Sequence, residues 1–145
     1  MDYTVSVNIE ATPERIWSNL VDVERWPEWT ASVTKVQRLD DGRFGTGSRA
    51  SVRQPKLRPM VWTVTEYEPA RSFSWMAVLP GVTTLAEHRL LPGPGTTVTV
   101  SNSIRQTGLL APIIGALYGR LTCRYLNMEA QGLKRRSELP PTASC

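Results

Sequence analysis

Four stretches of this chain alternate apolar and polar residues with period two, and each is joined to the next by a turn rich in Pro or Gly. Residues 60–68, 72–79, 83–91 and 96–104 read as strands of an antiparallel meander. Glu68-Pro69-Ala70-Arg71, Pro80-Gly81 and Pro92-Gly93-Pro94-Gly95 read as the turns. Short loops limit the register, and the simplest pairings set Val64 against Trp75, Trp75 against Ala86 and Ala86 against Asn102. One face then holds Met60, Trp62, Val64, Glu66, Phe73, Trp75, Ala77, Thr84, Ala86, His88, Leu90, Val98, Val100, Asn102 and Ile104. The opposite face is mainly Ser, Thr and charge, from Thr63 to Ser103. A slip of one residue would mix the two sets. The aromatic face therefore looks inward, and whatever covers it determines what the chain can do.

Three further strands and three helices complete the pattern. Residues 3–9 alternate as a first strand. Thr12-Pro13-Glu14 opens a helix, with Thr12 as N-cap and Pro13 at the first helical position; Ile16, Trp17 and Leu20 form its apolar stripe. Asp22 caps a second short helix over residues 23–26, ended by Pro27. Trp26 and Trp29 flank that break and anchor the corner. Residues 33–39 form a second strand with a bulge, and residues 48–54 a third. Pairing Val52 with Trp62 turns Ala50, Val52 and Gln54 inward. Residues 109–138 form one long helix with Ile114, Leu117, Leu121, Tyr125 and Met128 on one stripe and Arg120, Arg124, Glu129 and Lys134 off it. About 27 residues at 1.5 Å each span ~40 Å, enough to cross a sheet. Residues 1–138 make a single domain and 139–145 a disordered tail.

Composition excludes several classes. A chain of 145 residues, 41% hydrophobic and 21% charged, is an ordinary globular domain. The start lacks a signal peptide's basic and apolar regions, and residues 109–119 are too short to span a bilayer. Of the two cysteines, Cys145 ends the chain and Cys123 sits in the long helix, so the expectation is no disulfide and a cytoplasmic setting. One His and no Cys/His cluster argue against a metal site. The net charge of +4 is concentrated around Arg49, Arg53, Lys56 and Arg58 and at Lys134-Arg135-Arg136. No nucleic-acid motif accompanies either group, and the tryptophans have buried parity. Gly42 to Gly47 join two strands and precede no helix, so they form no phosphate loop, and no cofactor is expected.

The pieces Ala11-Thr12-Pro13-Glu14-Arg15-Ile16-Trp17, Asp22 to Trp29, Trp62-Thr63-Val64-Thr65-Glu66-Tyr67-Glu68-Pro69 and Glu129 to Arg135 resemble the SRPBCC, or START-like, superfamily. The resemblance is strongest to its polyketide cyclase/dehydrase branch and spans nearly the whole chain. It implies an α+β helix-grip fold: a seven-stranded antiparallel sheet curled around a long C-terminal helix, with two short helices after strand 1. It also implies a deep cavity for a hydrophobic or amphipathic small molecule. The family shares no catalytic triad, so the resemblance assigns no catalytic residue.

The inward polar residues are the candidates for chemistry. His88, with its pKa near working pH, and Asn102, diagonal to it at ~7–8 Å, could serve proton abstraction between two carbonyls. The competing reading is a mutually hydrogen-bonded structural pair. Glu66 shares their parity near a strand end; there a carboxylate reaches solvent, and burial would raise its pKa. Tyr125 points its hydroxyl into the cavity or packs as a core aromatic, and Tyr118 is expected nearly opposite it on the helix. The expected ligand contacts are Trp62, Val64, Glu66, Phe73, Trp75, Ala86, His88, Val100, Asn102, Leu117, Leu121 and Tyr125. The leading expectation is a polyketide-cyclase-like binder of a hydrophobic or aromatic molecule, monomeric or homodimeric. The alternatives are a lipid, quinone or secondary-metabolite carrier, and an interaction module using the basic loop at Arg53–Arg58.

Overall fold

The computed structural model describes residues 2–139. The chain runs β1 (Asp2–Ile9), α1 (Pro13–Val21), a short 3-10 helix (Val23–Glu28), β2 (Lys35–Arg38), β3 (Arg49–Arg53), β4 (Met60–Glu68), β5 (Ser72–Leu79), β6 (Val82–Pro92), β7 (Val98–Thr107) and α2 (Ala111–Glu138). All seven strands form one antiparallel sheet in the order β1-β7-β6-β5-β4-β3-β2. The architecture is the α+β arrangement expected from the alternating runs and the long C-terminal helix. The expected tail, apart from Leu139, lies outside the described residues. Among the described residues no helix is long and apolar enough to cross a membrane.

Thr12 caps α1: its Oγ1 accepts the Arg15 N–H at 3.2 Å, and Pro13 follows at the first helical position, where a missing N–H costs nothing. Asp22 makes no such side-chain cap, and Pro27 lies inside the 3-10 helix instead of ending it. Trp26 donates from Nε1 to the Leu20 carbonyl at 2.9 Å and packs 5.6 Å from Trp29, which fixes the corner. β2 is shorter than expected, because Val33 is buried in the preceding loop and not in a bulged strand.

The registers keep the expected parity but not every expected partner. Val64–Trp75 and Trp75–Ala86 pair as read from the turns. Ala86 opposes Ile104, which sets His88 directly across from Asn102, and Trp62 opposes Ala50. Both differences are two residues, so no side chain changes face. The exception is β4. A bulge between Val64 and Glu66 puts Tyr67 opposite Phe73 and Glu66 opposite Ser74. Glu66 is therefore exposed on the outer face, and Tyr67 takes the inward place expected for it.

The inward face has two unlike halves. Toward β4–β6, α1, the 3-10 helix and the loop carrying Phe44 fill it with aromatic rings. Trp26 lies 5.4 Å from Trp75, Phe44 lies 5.2 Å from Phe73, and Trp17 lies 5.6 Å from Tyr67. Such tilted and edge-on contacts suit the ring quadrupoles. α2 covers the rest. Its C-terminal half is seated most deeply, with Tyr125, Leu126, Glu129, Ala130, Leu133 and Ser137 buried, while the N-terminal half buries Ala111 and Gly115 and passes Gly119 close to the Tyr3 hydroxyl. Of the apolar stripe expected in the N-terminal half, Leu117 is 71% exposed while Ile114 and Leu121 are half-buried, because that half does not lie on packed core. Gly132 sets the seating distance: a Cβ there would come 2.0 Å from the Trp29 carbonyl oxygen.

Candidate functional site

Where α2 leaves the sheet, a cavity of about 410 Å³ opens between them. The exposed rim includes Lys56 and Arg58 from the β3–β4 loop and Tyr118 from α2. The buried floor includes Trp62, Thr84, Tyr125, Leu126 and Glu129, with Met60, Val82, Ile104 and Ile114 adding apolar wall between. A broader groove of about 690 Å³ lies at the other end of α2, but it is open and bordered by Glu28, Arg135, Arg136 and Glu138. The less open and more apolar of the two, the cavity beneath α2, is the better candidate.

Of the residues expected to contact a ligand, Trp62 and Tyr125 line this cavity. Val64, Phe73, Trp75, Ala86 and Val100 are buried in the packed core and do not line it, because Trp17, Trp26 and Phe44 occupy the space above that part of the sheet. Leu121 is half-buried away from it, while Leu117 and Glu66 are exposed. Tyr118, expected on the far side of α2, stands on the cavity side. Seven residues are almost two full turns, so it shares a face with Tyr125. The Tyr125 hydroxyl is not directed at the cavity; it donates to the Pro55 carbonyl and ties α2 to the β3–β4 loop.

His88 and Asn102 sit directly opposite and not diagonal, close enough to bond each other as in the competing reading, with His88 Nδ1 3.0 Å from Asn102 Oδ1. Both are buried, 3% and 0% exposed, and the His88 ring lies 4.7 Å from that of Phe73. The sequence reading missed the third member. Glu129 reaches from α2 to place Oε1 3.5 Å from His88 Nδ1, and it is 8% exposed. Its place could have been found from spacing. Ile114, Tyr118, Tyr125 and Glu129 follow at steps of four, seven and four, but a carboxylate is excluded from any stripe drawn through apolar residues alone.

The electrostatics of the cluster are those of groups stripped of water. Burial pushes the Glu129 carboxyl up to about 8. Burial also pulls His88 down to about 4, against a smaller opposing effect of its bond to Asn102. At neutral pH the proton thus stays on Glu129 and the imidazole is neutral. His88 Nε2, Asn102 Nδ2 and Glu129 Oε1 are buried with no hydrogen-bond partner among the described residues. Of the three residues only Glu129 lines the cavity; His88 and Asn102 stand behind it. The arrangement offers a ligand one protonated carboxyl in an otherwise largely apolar floor. Among the described residues no group of three His, Cys, Asp or Glu side chains could hold a metal ion.

The family model described as "Polyketide cyclase / dehydrase and lipid transport" matches residues 1–138. No curated protein matches the sequence. Among solved structures, the hypothetical protein jhp0584 from Helicobacter pylori superposes with a TM-score of 0.79 at 12% identity, covering 94% of this chain and 86% of that one. TTHA0849 from Thermus thermophilus gives 0.73 at 18% identity, covering 94% and 97%. A START superfamily protein from Mycobacterium smegmatis gives 0.70 at 19% identity, again covering 94% and 97%. At these identities the likeness concerns the fold, which is the START-like helix-grip fold.

Proposed function

Because the chain belongs to the polyketide cyclase/dehydrase and lipid transport family, we propose that it binds a hydrophobic or aromatic small molecule in the cavity between the sheet and α2. The observation that carries this reading is the cavity itself: about 410 Å³, floored by Trp62, Tyr125 and Leu126. That volume lies within the range of small-molecule sites, and the mix of apolar wall with a few polar groups, Thr84, Gln106 and Glu129 among them, is typical of them. The ligand class is that of the family, from polyketide-like aromatics to lipids and quinones. The free, exposed thiol of Cys123 supports a cytoplasmic setting.

The test is mass spectrometry of small molecules released from the purified, folded protein, beside a Thr84→Trp variant that fills the floor. An apolar molecule recovered from the wild type and lost from the variant is the expected result. If neither protein yields one, and a panel of polycyclic aromatic ketones produces no thermal shift, the reading is overturned.

Carriage and catalysis differ in what they require of His88. An aldol closure through His88 would lose turnover in His88→Ala while ligand affinity persisted. A carrier would lose less than about threefold in affinity, since His88 lies behind Glu129 and not on the cavity wall. That position favours carriage as the second reading.

A further inference from the structure

The floor of the cavity contains a carboxyl group whose surroundings explain none of its cost. Glu129 is nine-tenths buried, and among the described residues its Oε1 has no hydrogen-bond partner and no lysine or arginine pairs with it. A buried carboxyl oxygen left unsatisfied destabilises the fold, so a purely structural role would be served better by Leu or Met. The contact with His88 does not satisfy it, because Nδ1 of His88 is already engaged by Asn102 at the shorter distance of 3.0 Å. Oε1 lies against His88, and the Glu129 side chain also lines the cavity.

We propose that Glu129 is the polar anchor of the cavity, its carboxyl O–H donating a hydrogen bond to a carbonyl oxygen of an otherwise apolar ligand. This rests on the cavity reading above and narrows it to neutral aromatic ketones and related conjugated carbonyl compounds. A ligand carboxylate fits poorly beside Glu129, because the cations that line the cavity, Lys56 and Arg58, stand at its exposed rim and not on the floor. The titratable groups that face Glu129 are His88 from β6, Tyr118 and Tyr125 on its own helix, and Lys56 and Arg58 at the exposed rim. Burial holds the carboxyl protonated at neutral pH, which lets it act as donor. His88 and Asn102 position it from behind and touch no ligand.

Three probes of matched shape test this: 2-acetylnaphthalene, 2-isopropylnaphthalene and 2-naphthoate, titrated calorimetrically at pH 6.5. The expected result is that the ketone binds about 3- to 10-fold tighter than the hydrocarbon, the worth of one neutral hydrogen bond, and that the carboxylate binds weakest. Glu129→Gln, which retains an N–H donor, keeps the ketone preference at pH 6.5 and at pH 9. The wild type keeps it at pH 6.5 and loses it at pH 9, where the carboxyl has ionised. Glu129→Leu loses the preference but still binds the hydrocarbon, which also shows that the variant is folded. Equal binding of ketone and hydrocarbon by the wild type overturns the anchor role and leaves the cavity reading standing. Binding of no probe overturns both.

Discussion

Glu129 and His88 make opposite demands on pH. Folded, Glu129 keeps its proton to about pH 8, whereas unfolded it ionises near 4.5; its contribution is intact below 4.5 and is lost as pH rises toward 8. His88 charges near 6.5 when unfolded and only near 4 when folded, so its contribution is intact above 6.5 and is lost as pH falls toward 4. Between 4.5 and 6.5 the two slopes offset each other. Above 6.5 the Glu129 loss stands alone, on the order of 2 kcal/mol by pH 8. Urea unfolding followed by Trp fluorescence should therefore show a decline from pH 6.5 to 8 in the wild type. The same experiment on Glu129→Gln, which cannot ionise, should show none. A decline of equal size in the variant would locate its cause elsewhere. The cluster was half legible in the sequence: period-two parity put His88 and Asn102 on the inner face, while Glu129 belongs to another element with another period.

At the scale of elements, α2 shows a competition of magnitudes. Replacing Gly with Ala in a helix interior is ordinarily stabilising by about 1 kcal/mol. At Gly132 the added Cβ would meet the Trp29 carbonyl oxygen at 2.0 Å, a backbone atom that cannot swing aside. The helix would have to lift, so Gly132→Ala should destabilise by about 1–3 kcal/mol, read as a fall in Tm. An unchanged or raised Tm would show that the helix and the Trp29 corner are not held at this spacing. The strands were legible because their short turns leave few registers and a slip of one residue is penalised on both faces. Two-residue slips are not, which is why Ala86 opposes Ile104 and not Asn102. The β4 bulge was not legible either: Thr65, Glu66 and Tyr67 alternate equally well with and without it, and the packing of Tyr67 on Trp17 selects the bulged form. The sequence of α2 shows one amphipathic stripe, yet its N-terminal half faces the cavity over much of its length, which no periodicity reports.

For the whole molecule, these features divide the domain into a closed aromatic end and an open end that contains the cavity. Phe73 is fully buried at the closed end, among Trp17, Phe44 and Trp75. Phe73→Ala should cost about 3–5 kcal/mol in denaturant unfolding. The open end should tolerate substitution: Leu117→Gln, at a position 71% exposed, should change stability by less than about 0.5 kcal/mol. A large loss there would mean that the apolar lip is covered in solution.

The hydroxyl of Tyr125 bonded to the Pro55 carbonyl marks where α2 passes from the roof of the cavity onto packed core. On the roof side Ala111 and Gly115 are the buried residues, so that half has less to lose by opening than the half beyond. Amide exchange should accordingly be faster over residues 111–124 than from Leu126 to Ser137. Filling the cavity would supply the roof with the underside it lacks. Occupancy would then be written as slowed exchange in a stretch of helix that the core holds lightly, so the protein would signal its load by the stiffness of its own roof.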